Sequence, residues 1–227
     1  MRMLAVFEKG VRLRHIGHLD IQRAMQRALR RSGLPVAYSK GFHPHMLISF
    51  ASALSTGAAG KREIMDVQME QPVSSENFMA QLNHALPPEM QVSFAKEIED
   101  NHPALMSLLQ AAEYTMKPFD QDLLSGAINR FSDFLHQDVI MTERKTKRST
   151  SLVNIRPLIK KLSADENGIH AMLSLTQEES CKPSMLLSAL QSFLKNDQGQ
   201  EEPRALVIRQ RLYGKDGNGT LVPLEQL

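Results

Sequence analysis

Residues able to do chemistry crowd near the start of the chain. Four of the eight histidines stand at 15, 18, 43 and 45, with Asp20, Tyr38 and Ser39 among them. Imidazole titrates near neutral pH, which makes His18 and His45 candidates for a general acid and base, with Asp20 available to orient one of them. His15 and His18 share a face only on a helix, whereas His43 and His45 share one only on an extended chain. No glutamate or cysteine accompanies them at a recognisable ligand spacing, so the sequence assigns no metal and no cofactor. The competing reading is structural: loop histidines cap backbone groups, and Asp20 caps a helix.

The same stretch is strongly basic. Between Arg12 and Lys40 seven Lys/Arg residues face one acid, Asp20. Arg23, Arg27, Arg30 and Arg31 recur at helical spacing, with no acids at i,i+4 to build the usual surface ladder. All four are arginine, whose planar fork suits phosphate better than a lysine ammonium. With Arg14, Tyr38, Lys40, Gly41 and Phe42 they form a candidate anion- or RNA-binding set. A second patch, residues 141–161, sets Arg144, Lys145, Lys147, Arg148, Arg156, Lys160 and Lys161 against Glu143. From it Arg144, Lys145, Lys147 and Arg156 join the same set. The competing reading is a solvated helix face and a solvated hairpin. Aromatic residues are sparse, and no RNP-type motif is present.

Other chemistries find no support. Ser39 and Ser49 lack a nucleophile-elbow context, and Cys181 has neither an activating base nor a CxxC partner. Gly57 and Gly60 lack the strand-to-helix setting of a P-loop. The thirteen methionines are scattered, as core residues are. A net charge of +2 excludes a histone-like polycation, so the distribution of charge carries the information. Hydrophobic content of 42% argues against disorder. No apolar run reaches the roughly 18 residues of a membrane span, and the N-terminal apolar run is too short for a signal peptide. With a single cysteine, the cytoplasm is the expected compartment.

These residues need elements to hold them. Ile21, Ala24, Met25, Ala28 and Leu29 make an apolar stripe and predict a helix over Leu19–Ser32, with Asp20 in its first turn and Gly33 at its stop. Strands are expected at Met3–Phe7, Leu47–Leu54, Arg62–Glu70 and Gln91–Glu97, and a second helix from Ser74 to Ala85. Gly41-Phe-His-Pro-His45 reads as a loop. Residues 100–110 look like a connector with a short helical piece. Beyond it come a strand (Ala111–Met116), a helix (Asp120–His136), a strand starting at Val139–Thr142 and an extended Leu152–Ile155. A short helical Leu158–Leu162, a strand (Ile169–Leu175), a helix (Pro183–Leu194) and a strand (Ala205–Tyr213) follow, with turns at Gly199–Glu202 and Gly214–Gly219. The order strand, helix, strand, strand, helix, strand occurs twice. The expectation is an α+β protein of two tandem ferredoxin-like (split βαβ) domains with antiparallel sheets: residues 1–99, a connector at 100–110, and residues 111–227.

Several motifs resemble a bacterial family of radical-SAM-associated proteins of unknown function. They are Arg14-His-Ile-Gly-His-Leu-Asp20, the arginine run through Arg27–Arg31, Gly33-Leu-Pro35, Tyr38-Ser-Lys-Gly-Phe-His-Pro-His45, Ile48-Ser-Phe-Ala51 and Asn154-Ile-Arg-Pro157. His18, Asp20, Gly41, Phe42, Pro44 and His45 match the family pattern. Gly17 replaces its serine, Met46 its second proline, Asn154 an acid and Lys182 an arginine, while His15 and His43 fall outside the motif positions. The resemblance implies an accessory or substrate-handling domain, fused to a cobalamin-binding-type radical SAM protein or encoded beside one. The chain cannot be the radical SAM catalyst, which needs a CxxxCxxC site.

Three readings follow. The first is an accessory, RNA-binding protein working with a radical SAM partner and no membrane. The second is an RNA-processing or RNA-modifying enzyme using His18 and His45 as acid and base. The third is a module that only docks protein.

Overall fold

The computed structural model describes residues 1–145, 149–195 and 203–227 of the chain, with only the backbone at Lys145. The expected turn at Gly199–Glu202 lies outside the described residues. The class is α+β, as expected, and the residues group into two units: 1–109 with 211–227, and 110–210.

In the first unit, β1 (Arg2–Lys9) runs between two neighbours. Its partners are β3 (Ala58–Gln68) and β4 (Val92–Ile98), both antiparallel. A short β2 (Ile48–Phe50) adds to the outer side of β3, also antiparallel. The central position explains the composition of β1: Met3 to Phe7 are all at most 2% exposed, so both faces must be apolar. Met3, Ala5 and Phe7 share one core with Ile21, Met25, Ala28 and Leu29 of α1 (His18–Arg31) and with Phe78 and Leu82 of α2 (Ser75–Ala85). Each large side chain so buried stabilises the fold by roughly 1.5–3 kcal/mol. Ser74 caps α2 by accepting from the backbone N–H of Asn77 at 3.2 Å, and Gly33 ends α1 at φ 74°. The expected strand Leu47–Leu54 shrinks to β2: beyond the Ala51 N–H, which donates to the Ile64 carbonyl at 2.9 Å, Ser52–Leu54 leave the ladder. The short helix α3 (Leu105–Leu108) falls within the predicted connector.

In the second unit, β5 (Leu109–Pro118) pairs antiparallel with β9 (Gly168–Ser174), and β9 with β8 (Ile159–Asp165). Helices α4 (Gln121–Leu135) and α5 (Pro183–Lys195) pack together, Phe134 meeting Phe193 edge-on at 5.5 Å. A separate hairpin, β6 (Met141–Lys145) and β7 (Thr150–Asn154), stands outside this sheet. Strand β10 (Ala205–Lys215) carries the chain back to the first unit, where its end pairs with β11 (Leu221–Pro223).

One expected element is wrong. Leu158–Leu162 is not helical: a single 3-10 turn at Arg156–Leu158 leads straight into β8. Leu158, Ile159 and Leu162 mimic a helical stripe. The register of β8 shifts between Ile159 and Lys161, so Ile159 opposes Leu173 and Leu162 opposes Ala171. This bulge puts both apolar residues on one face despite their odd separation.

Candidate functional site

Helix α1 presents its arginines because its other face is committed to the core. Ile21, Met25, Ala28 and Leu29 are at most 4% exposed, which turns Arg23, Arg27, Arg30 and Arg31 outward. Their surroundings differ. Arg23 pairs with Asp20 at 3.2 Å, one turn back. Arg31 donates through Nη2 to the carbonyl of Ala85 at 2.8 Å, closing the end of α2. Arg27 and Arg30 have no partner among the described residues. Arg14 folds back on its own turn, Nη1 donating to the Val11 carbonyl at 3.0 Å. Two of the five guanidinium groups are thus uncommitted.

The Tyr38–His45 loop is tied at its base. Tyr38 bridges to Met46, and the backbone N–H of Leu47 donates to Ala37 at 2.9 Å, while that of Ala37 donates to Gln68 at 2.8 Å. Met46 is buried and anchors the returning chain. Ser39 Oγ accepts from the backbone N–H of His45 at 3.0 Å and lies 2.7 Å from its Nδ1. Gly41 holds φ 127°, a region that favours glycine. The tip between these ties leaves Phe42 fully exposed, Tyr38 40% exposed, and Lys40 in solvent.

His18 and His45 sit in different surroundings. The His18 ring meets Phe50 edge-on at 5.4 Å. It lines a cavity of about 10 Å³ with Phe7, Lys9, Ser52 and Glu63. That is room for about one water molecule. His45 lines an open cleft of about 220 Å³ with Arg2, Ser49, Asp66 and Gln68. Asp20 pairs with Arg23. His15 and His43 are exposed, and no group of three or more metal-ligating side chains occurs among the described residues.

The sequence reading missed Lys9 and Glu63. Both are nearly buried, at 2% and 4% exposed, and Lys9 Nζ donates to the Arg14 carbonyl at 3.2 Å. Buried lysine is rare. The signal available was a lysine closing the strand that begins with the apolar run Met3–Phe7, and a glutamate opposite Phe7 in the middle of β3.

Among the described residues of the second basic segment, the guanidinium groups of Arg144 and Arg156 serve the fold. Arg144 Nη2 donates to the Ser180 carbonyl at 2.8 Å, and Arg156 Nε to the Leu135 carbonyl at 2.9 Å. Asn154 Oδ1 accepts from the N–H groups of Ile140 and Arg156, both at 3.0 Å, which explains the Asn154-Ile-Arg-Pro157 motif as a brace. Lys145 contributes its backbone to β6, and Lys147 and Arg148 lie outside the described residues. Cys181 is buried, and burial pushes its thiol up to about 12, against a smaller opposing effect of Arg144. It is no nucleophile at neutral pH.

A family model described as an uncharacterized protein conserved in bacteria (DUF2344) matches residues 2–183. No curated protein matches the chain. No helix among the described residues is long and apolar enough to cross a membrane.

Proposed function

The chain belongs to the DUF2344 family of uncharacterized proteins conserved in bacteria, and on that premise we propose that it is an accessory protein that binds single-stranded RNA in the cytoplasm. The observation that carries the proposal is the pair of uncommitted guanidinium groups, Arg27 and Arg30, in the same unit as a loop that exposes Phe42, Tyr38 and Lys40. Arginine gives phosphate contacts and exposed aromatics give stacking, and the two together describe recognition of an unpaired strand. Duplex would leave the aromatics without bases to stack on.

The motif resemblance adds a radical SAM protein as the partner. Cluster chemistry would then reside on that partner, because a lone buried Cys181 offers no thiolate set. The acid–base reading has less support. His18 faces a cavity with room for about one water, and His45 lies in a separate cleft.

Fluorescence anisotropy with labelled single-stranded RNA over a salt series tests the proposal. Wild-type protein binds with log K falling linearly in log salt. Arg27→Ala/Arg30→Ala weakens binding and lowers the slope by about 1.4, at about 0.7 per phosphate contact. Absence of binding, or a double variant indistinguishable from wild type, overturns it. RNA-independent copurification with the radical SAM partner would then favour docking alone.

A further inference from the structure

The cleft beside the Tyr38–His45 loop has a chemistry of its own. Its charged pair is spent internally. Arg2 pairs with Asp66 through Nη2 and donates to it from Nε at 3.1 Å, and Nη1 donates to the carbonyls of Asp100, at 3.2 Å, and His102. Both side chains are mostly buried, at 13% and 9% exposed, so the pair forms a neutral floor. The remaining polar groups are free. Ser49 Oγ and the Gln68 carboxamide have no side-chain partner among the described residues, and both residues are exposed. His45 uses Nδ1 and its backbone N–H on Ser39, which leaves Nε2 open.

A hydroxyl, a carboxamide and an imidazole nitrogen over a neutral floor do not suit a phosphate, which would seek unpaired cations. They suit an uncharged group that shows donors and acceptors side by side. The volume of about 220 Å³ lies below the ~300–1,000 Å³ of clefts for drug-sized ligands. A single ring system fits that size. His45 belongs both to this cleft and to the loop that carries Phe42.

We propose that the cleft receives the hydrogen-bonding edge of one unpaired nucleobase, read by Gln68, Ser49 and His45, while Phe42 stacks on a neighbouring base. The proposal rests on the nucleic-acid reading above and deepens it: phosphate contacts on α1 hold the strand, and the cleft selects a base.

The test uses full-length protein and labelled RNA homopolymers of A, C, G and U, with an abasic strand of equal length as reference. For wild type, one homopolymer binds about tenfold or more tighter than the others, and the abasic strand binds weakest. Ser49→Ala/Gln68→Ala brings the preferred homopolymer to within about twofold of the others without changing the salt slope, a loss of the size expected for hydrogen bonds that discriminate. Phe42→Ala weakens all four homopolymers and keeps their ranking. If the double variant retains the wild-type ranking, or wild type binds all four homopolymers alike, the cleft proposal is wrong although the RNA reading stands. If wild type binds none of the strands, both are wrong.

Discussion

Arg27 and Arg31 are one helical turn apart and chemically identical, yet they do different work. Arg31 completes a hydrogen bond to Ala85, whereas Arg27 has no partner among the described residues. Arg31→Ala therefore lowers stability by about 0.5–1.5 kcal/mol in urea unfolding. Arg27→Ala stays within about 0.5 kcal/mol. In RNA binding the order reverses. Equal effects of both substitutions in both assays would refute this division. Lys9 offers a second residue-scale test. Lys9→Met keeps the side-chain volume but removes the hydrogen bond to the Arg14 carbonyl, which keeps the Gly57 N–H at 2.7 Å, so the loss is that of one hydrogen bond, about 0.5–1.5 kcal/mol. A denaturation midpoint unchanged from wild type would show that Lys9 is not structural.

At the scale of elements, α4 depends on its cap. Asp120 Oδ1 accepts from the N–H groups of Asp122 and Leu123, at 2.9 and 3.4 Å, and Oδ2 pairs with Lys195 at 3.3 Å. The Lys195 hydrogen bond above all, with these N–H groups, holds its carboxyl below the usual carboxylate range. A depressed folded-state pKa stabilises above the unfolded value of about 3.9, and that contribution disappears as pH falls through the folded value. Asp120→Ala thus costs about 1 kcal/mol at pH 7 and less as the pH falls below about 4, read from denaturant midpoints over that range. The β8–β9 hairpin depends on Gly168, at φ 141°, where an added Cβ would stand 2.6 Å from the Met116 carbonyl. Its turn was visible in the sequence as Asn167-Gly168 between two apolar runs. The helical spacing of Leu158, Ile159 and Leu162 outweighed that signal, and a bulge that reproduces such spacing cannot be read from periodicity.

For the whole molecule, the first unit is discontinuous. Residues 211–227 belong to it, and Glu225, 6% exposed, accepts from Arg62 at 2.9 Å and from Arg211 at 3.3 Å. The last residue also takes part, its carbonyl accepting from Lys96 Nζ at 2.7 Å. A fragment of residues 1–109 loses these partners and the buried Leu224, and it should show no cooperative unfolding transition in circular dichroism. A sharp two-state transition in that fragment would count against the assignment. Cys181 reports on the second unit. Buried, with its thiol pushed up to about 12, it reacts with a thiol reagent at pH 8 only as fast as that unit opens.

Much of the fold was decided locally and could be read from the chain. The helix His18–Arg31, its glycine stop, the Ser74 and Asp120 caps and the α+β class all follow from patterns within a few residues, because capping and amphipathic periodicity are short-range. So was the outward face of arginines, since four buried apolar positions leave the polar ones only one side. Tertiary structure alone decided what each polar group had left to offer. It brought Ala85 to Arg31, Leu135 to Arg156 and Ser180 to Arg144, and left Arg27 and Arg30 without partners among the described residues. It sent His18 to a cavity with room for one water and His45 to an open cleft, and it buried Lys9 at the end of β1 and Glu63 within β3. A side chain's chemistry is set by the groups within hydrogen-bond reach, and those groups are far away in sequence.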